Sequence, residues 1–318
     1  MLYPLKFKKV FIEKVWGGRE FEEKLGMKLP KNKKIGESWE ISAHPHGMSI
    51  VENGALSGMT LQEVYDKYKE KLVGDKVFKE YKDKFPLLIK YLDVNDRLSI
   101  QVHPNDEIAM KKHNELGKSE SWYIMEASDD AKLILGMKPD ITKEEFLKKT
   151  KNNDFSNLFE EKSVKKGDFI DITPGTVHAS LSGSILFAEI QENSDITYRI
   201  YDFDRLENGV KRKLHIEEAA DIIDFDKKVN IVNTEFTKNE TRKNIIRKKY
   251  YSIDKIKINS FSDKSTESMI IYSILEGKGT INQNGYSLDI EKGESILLPP
   301  NIDIVIKGNF EILRTIIE

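Results

Sequence analysis

The sequence predicts a mainly β protein made of two related barrel-like units, the first interrupted by α-helices. Two observations lead there. Short apolar, β-branched runs bounded by Gly, Pro, Asn or Asp recur along the chain, among them "AKLILGMK", "KGDFIDITPG", "SILFAEIQ", "ESMIIYSILEG", "GYSLDIEKGESILLPP" and "FEILRTIIE". That is the pattern of antiparallel strands joined by tight turns. The chain also repeats itself: "KKGDFIDITPGTVHA" at 165–179 and "EKGESILLPPNIDIV" at 291–305 share Lys-Gly-acid, a short apolar strand, and Pro at one offset from the Lys. One β unit therefore occurs twice, and 318 residues are enough to build both.

Taken in order, "EKVWGG" marks an early turn in which Gly17 and Gly18 are expected to supply positive φ. Helical insertions are expected at about 60–84 and 142–160. "TLQEVYDKYKEKLVGDKVFKEYKDK" opens with Thr60 and Glu63 in capping-box spacing and carries Leu61, Val64, Tyr65 and Tyr68 on one stripe. "DITKEEFLKKTKNNDFSNLF" repeats the cap with Thr142 and Glu145. The charged stretch from Asp226 to Lys249 has no clear period, so the units divide there, into 1–235 and 245–318. Trp16, Trp39 and Trp122 read as core or barrel-wall residues.

Composition narrows the function. With 51 Lys+Arg against 53 Asp+Glu, the net charge of −2 gives no basic field for nucleic acid or an anionic membrane. The absence of cysteine removes disulfides, thiolate metal sites and cysteine nucleophiles. No window approaches the roughly 20 apolar residues of a membrane span, and the N-terminal residues lack a signal-peptide core. A cytoplasmic protein is the expectation. Only eight of the basic residues are Arg, so an Arg inside a polar cluster carries more information than a Lys.

The chemistry begins at "LSIQVHPND", residues 98–106. In a strand, Gln101 and His103 share one face while Ile100 and Val102 take the other. Inward polar groups must be paired or bind something. When Pro174 is aligned with Pro300, His178 of "PGTVHA" falls opposite Ile304, so one repeat has a candidate ligand where the other has hydrocarbon. The remaining histidines have simpler explanations: His44 and His46 in a loop, His113 in a polar helical insert, His215 opening a helix. Gln101, His103 and His178, with a carboxylate, make a nitrogen and oxygen set suited to zinc. Glu120 in "GKSESWYIM" precedes a strand and is preferred, while Glu107 and Glu115 compete on spacing alone. One carboxylate leaves a dication undercompensated and Lewis acidic, which suits a developing oxyanion such as an enediolate.

The order Lys-Gly-acid, strand, Pro resembles the cupin, or small jelly-roll, fold, so the expected architecture is two cupin units with inserted helices. The motifs "EKVWGG", "GESWEIS", "SIQVHPND", "GKSESWY", "PGTVHA" and "EIQENSDITYRIYDFDR" together resemble the type I mannose-6-phosphate isomerases in their short bacterial form. The resemblance implies a zinc-dependent aldose–ketose isomerase interconverting mannose 6-phosphate and fructose 6-phosphate through a cis-enediol. It implies one Zn2+ per chain on Gln101, His103, Glu120 and His178, with Arg199 and Lys118 in the active site and a C-terminal cupin without metal ligands. The sequence departs at Lys118-Ser119-Glu120, where longer members read Lys-Pro-Glu, and at "SDITYR", where the family reads "SDNxxR". Glu189 of "LFAEIQENSD", ten residues before Arg199, is the nominated proton acceptor, with Lys118 or a metal-bound hydroxide as competitors. The expected partner is a small sugar phosphate. Another metal-cupin enzyme, of phosphoglucose isomerase or oxygenase type, and a non-catalytic sugar-phosphate-binding cupin are the alternatives.

Overall fold

The computed structural model describes residues 2–207, 209–264 and 267–318. Strands hold 44% of the residues and helices 17%, so the fold is mainly β. A seven-stranded sheet runs in the order Ile231–Asn233, Asp168–Ile172, Glu120–Ala127, Ile185–Glu192, Leu87–Val94, Val10–Gly18, Ile35–Ile41. Facing it is a five-stranded sheet, Tyr198–Tyr201, Ile100–Val102, His178–Ser182, Lys132–Met137, Phe159–Ser163. Between them lies a core in which Trp122, Ile124, Ile170, Ile172, Ile185 and Phe187 of the first sheet meet Leu133 and Leu135 of the second. No sheet closes on itself among the described pairings.

The third large sheet is C-terminal, its long strands Ser252–Lys264, Ile270–Gln283 and Asp303–Ile316 folded over an Ile-rich core. The first strand of the chain, Leu5–Lys8, pairs here with Ser295–Leu298 instead of joining the sheets that follow it in sequence. Tyr91, Leu186 and Ala188, on the back of the seven-stranded sheet, share a core with Ile271, Leu297 and Leu313 of the C-terminal sheet. The aperiodic stretch 226–249 contains two short strands with different allegiances. Ile231–Asn233 pairs with Asp168–Ile172, and Arg242–Arg247 pairs with Ser252–Lys264, so the chain changes sheets between them.

The repeat has a physical basis. Asp168 accepts the Lys165 N–H at 2.9 Å, and Glu294 accepts the Glu291 N–H at 3.0 Å. Gly167 and Gly293 hold positive φ of 86° and 81° in the two turns. Acid and glycine thus close one turn twice, each feeding a strand that ends near its proline.

Three expectations change. The Thr60–Glu63 capping box forms, but 60–84 is three short helices, Leu61–Tyr68, Glu70–Val73 and Asp75–Tyr81. A straight helix of 3.6-residue period would aim Lys76 and Lys79 at the core. Breaks at Lys69 (φ 48°) and Gly74 (φ 101°) rephase the chain so that Leu72, Val73, Val77 and Tyr81 are buried instead. The second helix forms under its Thr142 cap but stops at Lys151, and Phe159 already begins a strand. Gly17 and Gly18 lie in an extended strand without positive φ. Glycine is needed there for close approach, since a Cβ on Gly17 would fall 2.5 Å from the Gly36 nitrogen. Gly17→Ala should therefore cost about 1–3 kcal/mol as overpacking, read as a lower denaturant midpoint at unchanged slope.

Candidate metal centre and active-site cavity

Three neighbouring strands of the seven-stranded sheet present inward rows that change from hydrocarbon to ionisable along their length. These are Ile124, Trp122, Glu120; Ile185, Phe187, Glu189; and Val94, Leu92, Lys90. The two-residue period of a strand keeps each row on one face. Register lines up their polar ends, with Glu189 opposite both Trp122 and Lys90 and Gln191 opposite Glu120. On the facing sheet Gln101 pairs with His178 on one side and Arg199 on the other. The polar groups of both sheets therefore meet at one end of the sandwich, beyond the apolar core.

His103, Glu120 and His178 converge there, fully buried, with one ligand atom from each lying within 4.8 Å of the others. His103 directs Nδ1 to the Ile196 carbonyl at 2.8 Å, and His178 directs Nδ1 to the Thr176 carbonyl at 3.0 Å. Each backbone acceptor favours the tautomer with the proton on Nδ1, leaving the two Nε2 lone pairs facing the cluster. The Gln101 amide lies 3.2 Å from His178 Nε2, and a half-turn about its last bond presents oxygen in place of nitrogen. Glu120 Oε1 is 3.1 Å from His178 Nε2, and Oε2 is 2.8 Å from Lys118 Nζ. Neither oxygen has a well-directed hydrogen bond, although both are buried. Contact distances without alignment leave this carboxylate with unused acceptor capacity. Two imidazole nitrogens, an amide oxygen and a carboxylate fit a divalent cation of borderline hardness.

Electrostatics agree with these roles. Burial drives the His103 pKa well below that of free imidazole, and Lys118 adds to the effect, so His103 is neutral and able to ligate. Burial works to raise Glu120, but the Lys118 ammonium leads the charges that outweigh it and hold the carboxylate ionised, well below the usual range. Lys118 shows the reverse balance: burial opposes its charge, and Glu120 and Glu189 restore it, raising its pKa. Glu189 is raised, by burial first and by the charge of Glu120 second. Trp122 Nε1 donates to its Oε2 at 2.9 Å, and Lys90 Nζ lies 3.6 Å from Oε1.

The cluster borders a cavity of about 240 Å³ whose lining includes Lys14, Trp16, Glu37, Lys90, Gln101, Lys118, Glu189, Asp195, Arg199 and Arg212. Lys14 pairs with Glu37 at 3.0 Å, and Arg212 is clamped to Asp202 through Nε at 2.8 Å. Among the described residues no carboxylate pairs with Arg199. Its Nε donates to Ser99 Oγ at 3.3 Å and its Nη1 to the Lys213 carbonyl at 3.2 Å. Burial works to raise the Asp195 pKa, but Lys90, His46 and Lys118 bring it down to about 2.

Comparison with known proteins bears on this geometry directly. The family described as phosphomannose isomerase type I, catalytic domain, matches residues 4–126, and the mannose-6-phosphate isomerase cupin domain matches residues 241–317. The probable mannose-6-phosphate isomerase GmuF of Bacillus subtilis is 39% identical over 320 residues, covering 98% of this chain and 99% of that protein. The chain belongs to the type I mannose-6-phosphate isomerase family. A Streptococcus mutans mannose-6-phosphate isomerase is 35% identical over 95% of this chain and 94% of its own length. The crystal structure of the mannose 6-phosphate isomerase from Bacillus subtilis superposes with a TM-score of 0.88 at 35% identity, covering 99% of both chains. The apo Salmonella typhimurium enzyme, at 16% identity and TM-score 0.77 over 100% of both chains, shares the fold.

Within this family member the structure brings Gln101, His103, Lys118, Glu120, His178, Glu189 and Arg199 to one end of the sandwich. The rival carboxylates lie elsewhere: Glu107 is exposed on the helix Asp106–His113, and Glu115 sits 3.8 Å from His44. His113 meets the Tyr198 hydroxyl at 2.9 Å, and His215 precedes the helix Ile216–Ile222. The three tryptophans are buried, as expected, though Trp16 and Trp122 also line the cavity. Sequence reasoning missed Lys14, Glu37, Lys90, Asp195 and Arg212. Lys90 carried a signal, a lone ammonium in the mostly apolar "LLIKYLDV", and Arg212 is one of the scarce arginines.

Proposed function

We propose that this chain interconverts mannose 6-phosphate and fructose 6-phosphate by moving a proton between C2 and C1 through a cis-enediol, with one zinc ion held by Gln101, His103, Glu120 and His178. The observation that carries the reading is the buried Glu120 carboxylate, left with free acceptor capacity between two imidazoles whose Nε2 atoms face it. A zinc ion bound there would act as a Lewis acid on the sugar oxygens. The protein groups account for the rest. Glu189 is nominated as proton acceptor, because its raised pKa brings its basicity towards that of the carbon acid it must deprotonate. Lys118 is held protonated by its two carboxylate neighbours, which suits it to neutralise charge beside the site and argues against it as the base. Arg199, without a carboxylate partner, offers a planar fork to an anionic group. The apolar floor formed by Leu92, Leu98 and Trp122 limits the water that could compete for the enediol. We also infer that the facing sheets and the C-terminal sheet are jelly-roll units of cupin type, dividing near 235–245, with the metal site in the first alone.

Five outcomes test this reading. Exhaustive chelation should abolish formation of fructose 6-phosphate in a coupled assay, and zinc should restore it alongside one equivalent of metal by elemental analysis. Activity that persists without metal refutes the zinc role. His178→Ala should lose zinc, whereas Ile304→Ala, buried in the C-terminal core, should keep it and lose about 2–5 kcal/mol of stability. Arg199→Lys should lower kcat/KM roughly 10- to 100-fold, the value of a charged hydrogen bond, with zinc content unchanged. Glu189→Gln should cut kcat by about 10²–10⁴. Since a raised pKa keeps a carboxyl protonated to higher pH, wild-type kcat should begin to fall on acidification above the free glutamate value of about 4.3, while zinc analysis at each pH shows the metal still in place.

A further inference from the structure

The segment Lys118-Ser119-Glu120 supplies two charged groups to the site, and it is gripped from behind by residues that do not line the cavity. The Ser119 N–H donates to Glu192 Oε2 at 3.0 Å, and the Glu192 N–H returns a bond to the Ser119 carbonyl at 3.1 Å. Lys248 Nζ shares its three N–H groups among four acceptors, Ser119 Oγ at 3.0 Å, the Glu120 carbonyl at 3.3 Å, Ser121 Oγ at 3.2 Å and Asp171 Oδ1 at 2.5 Å. Lys248 follows the strand Arg242–Arg247, the edge of the C-terminal sheet. Its ammonium lies 4.4 Å over the Tyr251 ring, and the Tyr251 hydroxyl donates to the Ile190 carbonyl at 2.8 Å. One partly buried cation therefore touches three consecutive residues, 119 to 121, from the side opposite the cavity. The Glu192 bond requires an N–H at position 119. A Lys-Ser-Glu segment has one, and a Lys-Pro-Glu segment would not.

We propose that Lys248 and Glu192 are positioning residues for the metal centre: together they clamp Ser119, doing by hydrogen bonding what a proline ring does by restricting φ, and so fix the direction of the Glu120 carboxylate. The C-terminal sheet thereby takes part in metal binding without contributing a ligand. Outer contacts of this kind commonly change metal affinity by about 10- to 100-fold. The inference rests on the reading of Glu120 as a zinc ligand.

The sign of the effect separates a clamp from a bare charge. Deleting a cation near a bound dication should tighten zinc binding by Coulomb's law, whereas loss of a clamp should loosen it. Zinc dissociation constants of the full chain, measured by competition with a chromogenic chelator, decide between them. Lys248→Met should raise the zinc Kd about tenfold or more, Lys248→Arg should recover much of the loss, and Ser119→Ala should raise Kd by a smaller factor. Glu192→Gln, which keeps an oxygen for the Ser119 N–H, should bind zinc like the wild type, and Glu192→Leu should not. Melting of the metal-free variants checks that each folds, and if Lys248→Met does not, Ser119→Ala and the Glu192 pair decide. Wild-type or tighter binding in Lys248→Met and Ser119→Ala overturns the clamp alone. A wild-type chain that binds no zinc overturns both this inference and the reading it rests on.

Discussion

Everything near the cavity is arranged around one buried carboxylate. An ionised Glu120 with no exposed surface would be expensive to hold in a dry sandwich. What makes it tolerable is the Lys118 ammonium at 2.8 Å, which lowers its pKa against the desolvation that would raise it. Its neighbours are individually awkward. His103 cannot protonate in this setting, and Lys118 keeps its charge only because Glu120 and Glu189 flank it. No member is stable in its observed state without the others, so the cluster is a single electrostatic unit whose geometry the two sheets must maintain.

The sheets maintain it through alternation and register. Because the inward rows run from Ile124 to Glu120, from Ile185 to Glu189 and from Val94 to Lys90, the apolar ends secure the sandwich and the polar ends cannot slide relative to one another. A one-residue slip of any strand would send its ionisable group to the opposite face, into the core shared with the C-terminal sheet. Lys90 shows how tightly the arrangement is drawn. It is almost wholly buried, lies 4.5 Å over the Trp39 ring, and sits between Glu37 at 3.8 Å and Glu189 at 3.6 Å. It thereby links a second carboxylate of the cavity lining to the one nominated for proton transfer.

The parts legible from sequence were those in which chemistry and periodicity conflict. Gln101 and His103 stand out because a strand with an apolar face has no local use for them, and His178 stands out because its counterpart in the repeat is Ile304. Glu120 was harder, since Glu107 and Glu115 fit the same spacing, and only the strand that places it opposite Gln191 and Ile172 separates them. Lys14 and Glu37 were not legible, because each reaches the cavity through pairing between distant segments. A Lys-rich chain hides such lysines among many solvated ones. The helical errors have a related cause: Thr60 and Thr142 announce where helices start, but where they stop depends on which side chains the tertiary core will accept. The glycines of "WGG" were rightly marked as special and given the wrong reason, because positive φ and close approach leave the same residue in the sequence.

The repeat shows how one turn can serve two different interiors. Both copies keep the turn, with Asp168 and Glu294 each capping a backbone N–H three residues back, and both keep the proline that ends the strand. The turn is therefore a folding device, and retaining it carries no information about chemistry. Four residues past that proline, the first copy places His178 against Glu120, and the second places Ile304 among Ile302, Ile306 and Leu298. An imidazole buried in the second copy would require an acceptor for each ring proton. An apolar side chain needs no such company. The C-terminal sheet packs against the back of the seven-stranded sheet, and through Lys248 it reaches the back of the strand that carries Glu120.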